Sequence, residues 1–297
     1  MVAAAVVSMA WDQNRLKILL MGATQGVGEA LAERLSLESE RWRVDALSRR
    51  PPTHVESRIH WHQLDLDHEC LSIDATVWIS AGPLSHVYEQ LAQMDPSNHP
   101  RVIWALSSAS PDFKKDSSDK RERSRMAQLQ ATEAALLELA EVHGIGCQII
   151  KTTLLYGRQD QNINRLAALI RALPAIPIIG QGLRAPVHVD DVAAWIYQLL
   201  QQWQAGGLIQ SGQWRIQGGE ILTYPQMLTR IAQARGLSLR LWPMPLTLVR
   251  TALALAHALG QLRDIEAPML GRQAVDLIVD DTPARESLGW RARSFEP

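Results

Sequence analysis

Residues 18–35 read ILLMGATQGVGEALAERL. An apolar run of strand-forming residues meets three glycines, Gly22, Gly26 and Gly28, and then becomes an amphipathic helix. Glycine lets the backbone turn tightly and lets a pyrophosphate come close, and the N–H groups and positive end of the following helix stabilise its charge. Glycines at a strand-to-helix turn can also serve sterics alone. Their placement inside a repeating strand–helix pattern is what points to a dinucleotide.

That pattern runs through the first half of the chain. LKILLMG (16–22) reads as a strand and GEALAERLSLE (28–38) as a helix. WRVDALSR (42–49), RIHWHQLDL (58–66), ATVWISAG (75–82) and RVIWALSS (101–108) follow as strands; a long helix at 120–143 precedes the strand GCQIIKTT (146–153). Short apolar runs bounded by Gly, Pro and Ser and separated by helices predict a parallel sheet covered on both faces, the α/β doubly wound, Rossmann-like arrangement. The second half predicts a small α/β lobe: a helix at 164–173 stopped by Pro174, a strand end and helix at 187–203 with Asp190 or Asp191 as N-cap, and a strand, turn and helix at 212–236. The reading divides the chain into a flexible tail (1–14), a dinucleotide-binding domain (15–155) and a substrate lobe (156–297) from which about 183–203 returns to the first domain.

An NAD-selective site places an acid about 20 residues beyond the glycines, on the ribose hydroxyls. Here that count from Gly28 reaches Ser48, followed by Arg49 and Arg50. Asp45 lies inside the strand rather than at its end. Two guanidiniums suit a 2′-phosphate, so NADP(H) is favoured over NAD(H).

A net charge of −1 gives no electrostatic reason to expect nucleic acid or an anionic membrane as partner. The apolar start MVAAAVVSMA is too short for a span, and either forms a tail or precedes a true start at Met9. LTLVRTALALAHALGQL (246–262) carries Arg250 and His257 and reads as an amphipathic helix on the protein or at an interface. The two cysteines, Cys70 and Cys147, have no metal-type spacing and read as small core residues of a reduced, cytoplasmic protein. His60, His62 and His68 stand near Asp65 and Asp67 without reading as a metal site. The charged run at 112–125 reads as a mobile surface loop entering a helix. Trp104, Trp195, Trp203, Trp214, Trp242 and Trp290 read as core or interface residues.

Taken with four further stretches, the chain resembles the extended and atypical branches of the short-chain dehydrogenase/reductase superfamily, the epimerase/dehydratase-like proteins. LDLD (64–67) looks like the acidic turn after the third strand, and SAGP (80–83) like the turn after the fourth. TTLLYGRQDQNINRLAALI (152–170) is similar to the RPxxxYG segment, with Lys151-Thr152-Thr153 replacing Arg-Pro, and APVHVDDVAAWI (185–196) to HVxDVA. The ending DDTPARESLGWRARSFEP also looks like the LGWxP finish. The resemblance implies a cofactor held by Gly22, Thr24, Gln25, Gly26, Val27 and Gly28 at the pyrophosphate, Arg49 and Arg50 at the ribose, Asp65 and Leu66 at the adenine, and Ala81, Gly82 and Ser107 along its length. It also implies a small-molecule substrate bearing a hydroxyl or carbonyl, such as a nucleotide-sugar, and allows a homodimer through the helix at 120–143.

Family enzymes use a Tyr-x-x-x-Lys pair on that long helix. KRERSRMAQLQATEAALLELA (120–140) contains no tyrosine; the four tyrosines are Tyr88, Tyr156, Tyr197 and Tyr224. One alignment sets Arg121 and Arg125 in the places of the pair; another, through Glu133, sets Arg125 and Leu129 there. ALSSASPDF (105–113) offers Ser107, Ser108 and Ser110 as the family's strand-end hydroxyl, with Ala109 as the other occupant of the equivalent place. Tyr156 is the remaining acid candidate, with His188 and Lys151 behind it. The expectation is an oxidoreductase or epimerase; the alternative is a dinucleotide-binding protein without turnover, acting as sensor or assembly partner.

Overall fold

The computed structural model describes residues 15–51, 58–113, 119–158, 160–249, 251 and 272–297; the tail and most of 246–262 lie outside them. The first half carries six strands, β1 (Leu16–Met21), β2 (Trp42–Ser48), β3 (His60–Gln63), β4 (Val77–Ser80), β5 (Val102–Ser108) and β6 (Gly146–Thr152), with helices after β1, β4 and β5 and none between β2, β3 and β4 among the described residues. In the second half come the short strands β7 (Leu155–Tyr156), β8 (Ile176–Ile178), β9 (Leu183–Arg184) and β10 (Val187–His188), then β11 (Gly212–Ile216). The main sheet has seven strands in the order β11-β6-β5-β4-β1-β2-β3, every pair parallel. This is the doubly wound order, with its reversal between β1 and β4.

The period-two pattern of the strands builds two cores. Ile18 and Leu20 of β1 pack with Val44, Val77 and Trp104 beneath α1 (Gly26–Ser36) and α6 (Val189–Gln204). Leu19 and Met21 face the other way, with Trp78, Ile103 and Ile149, beneath α2 (Leu84–Gln93) and α4 (Lys120–Val142). A third core holds α5 (Gln161–Ala172) and α7 (Tyr224–Ala234) together with Ile176, Ile178 and Phe295 of the lobe.

The segment returning from the lobe runs further than about 183–203. β11 pairs with β6 from Gly212↔Gln148 to Ile216↔Thr152, and the C-terminal helix Thr282–Leu288 packs beside β11. Trp290 is fully buried; its indole N–H donates to the Gln217 carbonyl at 3.0 Å, and its ring meets Trp195 edge-on.

Four local expectations are corrected. The N-cap of α6 is His188, whose Nδ1 accepts from the Asp190 N–H at 3.1 Å; Asp190 and Asp191 lie in the first turn, paired with Arg158 and Arg293. Asp112 and Phe113 belong to a short helix, α3 (Ser110–Phe113), rather than to the charged loop. Cys70 is exposed, while Cys147 is buried and desolvation pushes its thiol up to about 12. Of the tryptophans read as core or interface, Trp242 is 61% exposed and so is not core.

Candidate active site

The three glycines solve a packing problem in the chain itself. Gly22 has φ +73°, and a Cβ there would lie 2.6 Å from the Gly82 nitrogen, so the turn after β1 sits directly against the turn after β4. A Cβ on Gly28 would lie 2.0 Å from the Gly22 carbonyl oxygen, which brings α1 down onto the strand end. A Cβ on Gly26 would meet only Val189 Cγ1, at 3.8 Å, so its constraint is the φ of +55°. Gln25 caps α1 without a side-chain hydrogen bond, so the first N–H groups of an eleven-residue helix are left for another acceptor.

Above this turn, at the carboxyl ends of the strands, lies a cavity of about 1070 Å³. Gly22, Thr24 and Gln25 form one part of its wall, Ser48, Arg49 and Arg50 a second, and Asp65, Leu66 and Gly82 a third. The cofactor candidates of four separate loops thus meet in one space. Val27 and Gly28 are instead packed beneath it, and Ala81 and Ser107 open onto a neighbouring cavity. Neither Arg49 nor Arg50 is in an ion pair among the described residues, whereas Asp45 is buried and holds His62 Nε2 at 2.7 Å and Arg43 Nε at 3.2 Å. The rim carries a pair the sequence did not suggest, His86 with Asp67 at 2.8 Å. The hydrogen bond from His86 holds the Asp67 carboxyl below its ordinary range.

The second cavity, of about 610 Å³, shares Gly82 and Pro83 with the first. It reaches down to the ends of β5 and β6 and out to the lobe, taking in Ser107, Ser108, Ser110, Thr152, Thr153 and Arg184. Ser108 donates to Ser110 Oγ at 2.9 Å and accepts from the Ser110 N–H at 3.0 Å, so the two serines form a local turn. Ser107 is held differently. Its hydroxyl donates to Glu133 Oε1 at 2.5 Å, and Glu133 Oε2 lies 2.8 Å from Lys151 Nζ. β5 and β6 set Ser107 directly beside Lys151 in register. Asp112, 3.7 Å from Lys151 and 2.7 Å from Arg215 Nε, extends the charged cluster.

Helix α4 carries the residues of both alignments of the missing pair. Glu133 is buried and Leu129, one turn earlier, lines the second cavity, while Arg121 and Arg125 are exposed and outside it. Among the described residues, Arg184 is the only titratable group in the wall of the second cavity. Arg184 carries no signal in the sequence beyond being a lone arginine in GQGLRAPVH; its Nη1 donates to the Leu183 and Val275 carbonyls, and its guanidinium lies over the Tyr224 ring.

Tyr156 is not brought to this site. It is 2% exposed inside the lobe, its hydroxyl donating to the Ser294 carbonyl and accepting from the Glu296 N–H, and burial pushes it upward. His188 packs edge-on against Tyr156 and caps α6, and burial depresses its pKa. Among the described residues no three acids, histidines or cysteines group as metal ligands, and no helix is long and apolar enough to cross a membrane.

Solved structures of the same architecture carry the comparison. UDP-glucuronic acid 4-epimerase from Bacillus cereus, solved with UDP-glucuronic acid and NAD, superposes with a TM-score of 0.66 at 14% identity, over 94% of this chain and 95% of that one. The chain has the fold of the UDP-sugar 4-epimerases. UDP-N-acetylglucosamine 4-epimerase from Bacillus cereus gives 0.61 at 17% identity, over 93% and 94% of the two chains. UDP-glucose-4-epimerase from Stenotrophomonas maltophila, with bound NAD and formylated UDP-arabinopyranose, gives 0.63 at 14%, over 95% and 94%. No protein-family model and no curated protein matches the sequence. At these identities the likeness is one of fold.

Proposed function

We propose that the chain binds a nicotinamide dinucleotide in the first cavity and acts as an oxidoreductase or epimerase on a hydroxyl- or carbonyl-bearing small molecule in the second. The observation that carries this reading is the meeting of the two cavities at Gly82 and Pro83, beside the glycine turn. A dinucleotide fits the residues present: the Gly22 turn and uncapped start of α1 suit its pyrophosphate, and Asp65 its adenine. Such a cofactor supplies a hydride acceptor or donor. The structural neighbours solved with NAD support the general class of cofactor and substrate.

NADP(H) is the finer proposal. Arg49 and Arg50 follow Ser48 at the end of β2, where an NAD-selective chain carries an acid, and Asp45 is spent on His62 and Arg43. A calorimetric titration with NADPH and NADH, for wild type and Arg49→Ala/Arg50→Ala, tests it. Tight NADPH binding lost in the double variant supports the reading; binding of neither cofactor overturns it.

The composition of the second cavity favours one alternative, a dinucleotide-binding protein without turnover. No tyrosine, histidine, lysine or carboxylate lines that cavity among the described residues, so no side chain there is an evident general acid. Ser108 and Ser110 remain the proposed hydrogen-bond partners of a substrate; turnover surviving Ser108→Ala and Ser110→Ala would remove them. Tight NADPH binding with no substrate-dependent change in reduced-nicotinamide absorbance, over a panel of carbonyl and sugar-nucleotide compounds, would favour the alternative.

A further inference from the structure

The end of β2 lacks an acid, but the strand beside it brings one to the same place. β3 runs in register with β2, Ser48 opposite Gln63, and the tie continues past the strands. The Leu64 N–H donates to the Ser48 carbonyl at 3.2 Å, and the Gln63 amide to the Arg49 carbonyl at 3.4 Å. The turn at 65–69 is therefore fixed against the chain at Arg49. It also closes on itself: Asp65 Oδ1 accepts from the Asp67 N–H at 3.3 Å, and the His68 and Glu69 N–H groups donate to the Asp65 carbonyl at 2.9 Å. From this turn Asp67 lines the first cavity, in company with Ser48, Arg49 and Arg50.

His86, in the first turn of α2, lines the same cavity and holds Asp67 Oδ1 at 2.8 Å. Beyond the hydrogen bond and charge of His86, the charges of Arg49 and His68 also hold the Asp67 carboxyl down. A carboxylate and a guanidinium thus act on one end of the cavity from adjacent strand ends. The guanidinium suits a phosphate at the 2′ position of an adenosine ribose; the carboxylate suits the hydroxyls there and repels the phosphate. A carboxylate has lone pairs for several donors, so its bond to His86 leaves it able to accept from a hydroxyl.

We propose that Asp67 serves as the ribose acid that β2 lacks and, set against Arg49, makes the site accept both NAD(H) and NADP(H). Asp67 sets the selectivity, and His86 is its positioning residue. The inference rests on the reading of the first cavity as a dinucleotide site.

Calorimetric titration of the full chain with NADPH and with NADH tests it. The proteins are the wild type, Asp67→Asn, Asp65→Asn, Arg49→Ala, His86→Leu and His86→Gln, each shown to be folded by its thermal melt. The wild type should bind both cofactors. Asp67→Asn should raise the preference for NADPH over NADH roughly tenfold or more, since it removes a charge-assisted bond to the ribose and a repulsion of the phosphate together. Arg49→Ala should move the preference the other way. His86→Leu should shift it in the direction of Asp67→Asn, and His86→Gln, which keeps a hydrogen-bond donor, should return it toward the wild type. Asp65→Asn should weaken both cofactors alike, because the adenine is common to the two. A preference unchanged in Asp67→Asn, or a wild type that binds only one of the two cofactors, overturns the proposal and leaves the dinucleotide reading standing. Binding of neither by the folded wild type overturns the dinucleotide reading and the proposal with it.

Discussion

Lys151 Nζ and Glu133 Oε2 form an ion pair 2.8 Å long in which both side chains are 1% exposed, joining β6 to α4 directly behind Ser107. Desolvating two charges is costly, and the pair recovers that cost only while both partners are present. Lys151→Met leaves Glu133 buried without its cation and should cost about 3–5 kcal/mol. Adding Glu133→Leu to it should restore most of the loss, because an apolar pair of similar volume suits the same space. Denaturant unfolding of the single and double variants measures both steps.

Gly28→Ala should destabilise the fold and displace the glycine turn together. The added Cβ would lie 2.0 Å from the Gly22 carbonyl oxygen, a backbone atom that cannot swing aside. Overpacking of this kind costs about 1–3 kcal/mol or more. Gly26→Ala meets no atom closer than 3.8 Å and pays only for its φ of +55°. A melt in which Gly28→Ala is no less stable than Gly26→Ala would contradict this account.

His188 makes stability depend on pH. Burial lowers its folded pKa below the ordinary 6.5, and the Asp190 N–H needs the neutral ring as acceptor. The unfolded chain therefore binds the proton more readily, so stability is full above about 6.5 and falls as pH drops through that value toward the folded pKa. Burial lowers His60 too, which adds a loss of the same sign. Melts at about pH 7.5 and about pH 5.5 should differ, and the difference should shrink in His188→Asn, whose side chain caps without titrating.

Tyr156→Phe tests the alternative use of that side chain. Its hydroxyl serves the Ser294 carbonyl and the Glu296 N–H, so removal should cost about 1 kcal/mol of stability. Binding of NADPH should be unchanged, since Tyr156 lines neither cavity. Weakened NADPH binding in a stable Tyr156→Phe protein would assign the residue to the site after all.

The sheet was legible in the sequence because its strands are short apolar runs bounded by Gly, Pro and Ser, and because Gly22 and Gly28 mark where strand gives way to helix. What escaped was decided by contacts distant in the chain. His188 took the cap from Asp190 because an imidazole nitrogen accepts as well as a carboxylate, and local sequence does not say which rotamer wins. SPDF has the residues of a turn, yet Asp112 is held in a short helix facing Arg215, 103 residues away. Glu133 is buried against Lys151, and nothing local in the sequence pairs those charges. Val27 and Gly28 belong to the signature of the turn but support it from below; the period of α1 points both into the core.

β11 completes the sheet beside β6 using residues that follow the whole first half of the lobe, and Trp290 closes the core beneath it. A ribosome making this chain at roughly 5–20 residues per second exposes β6 as an open sheet edge for several seconds before its partner is synthesised. Such an edge can pair with other chains. Until β11 arrives that edge of β6 is open, and cuts between residues 156 and 211 would release a first half with the β6 edge unpaired.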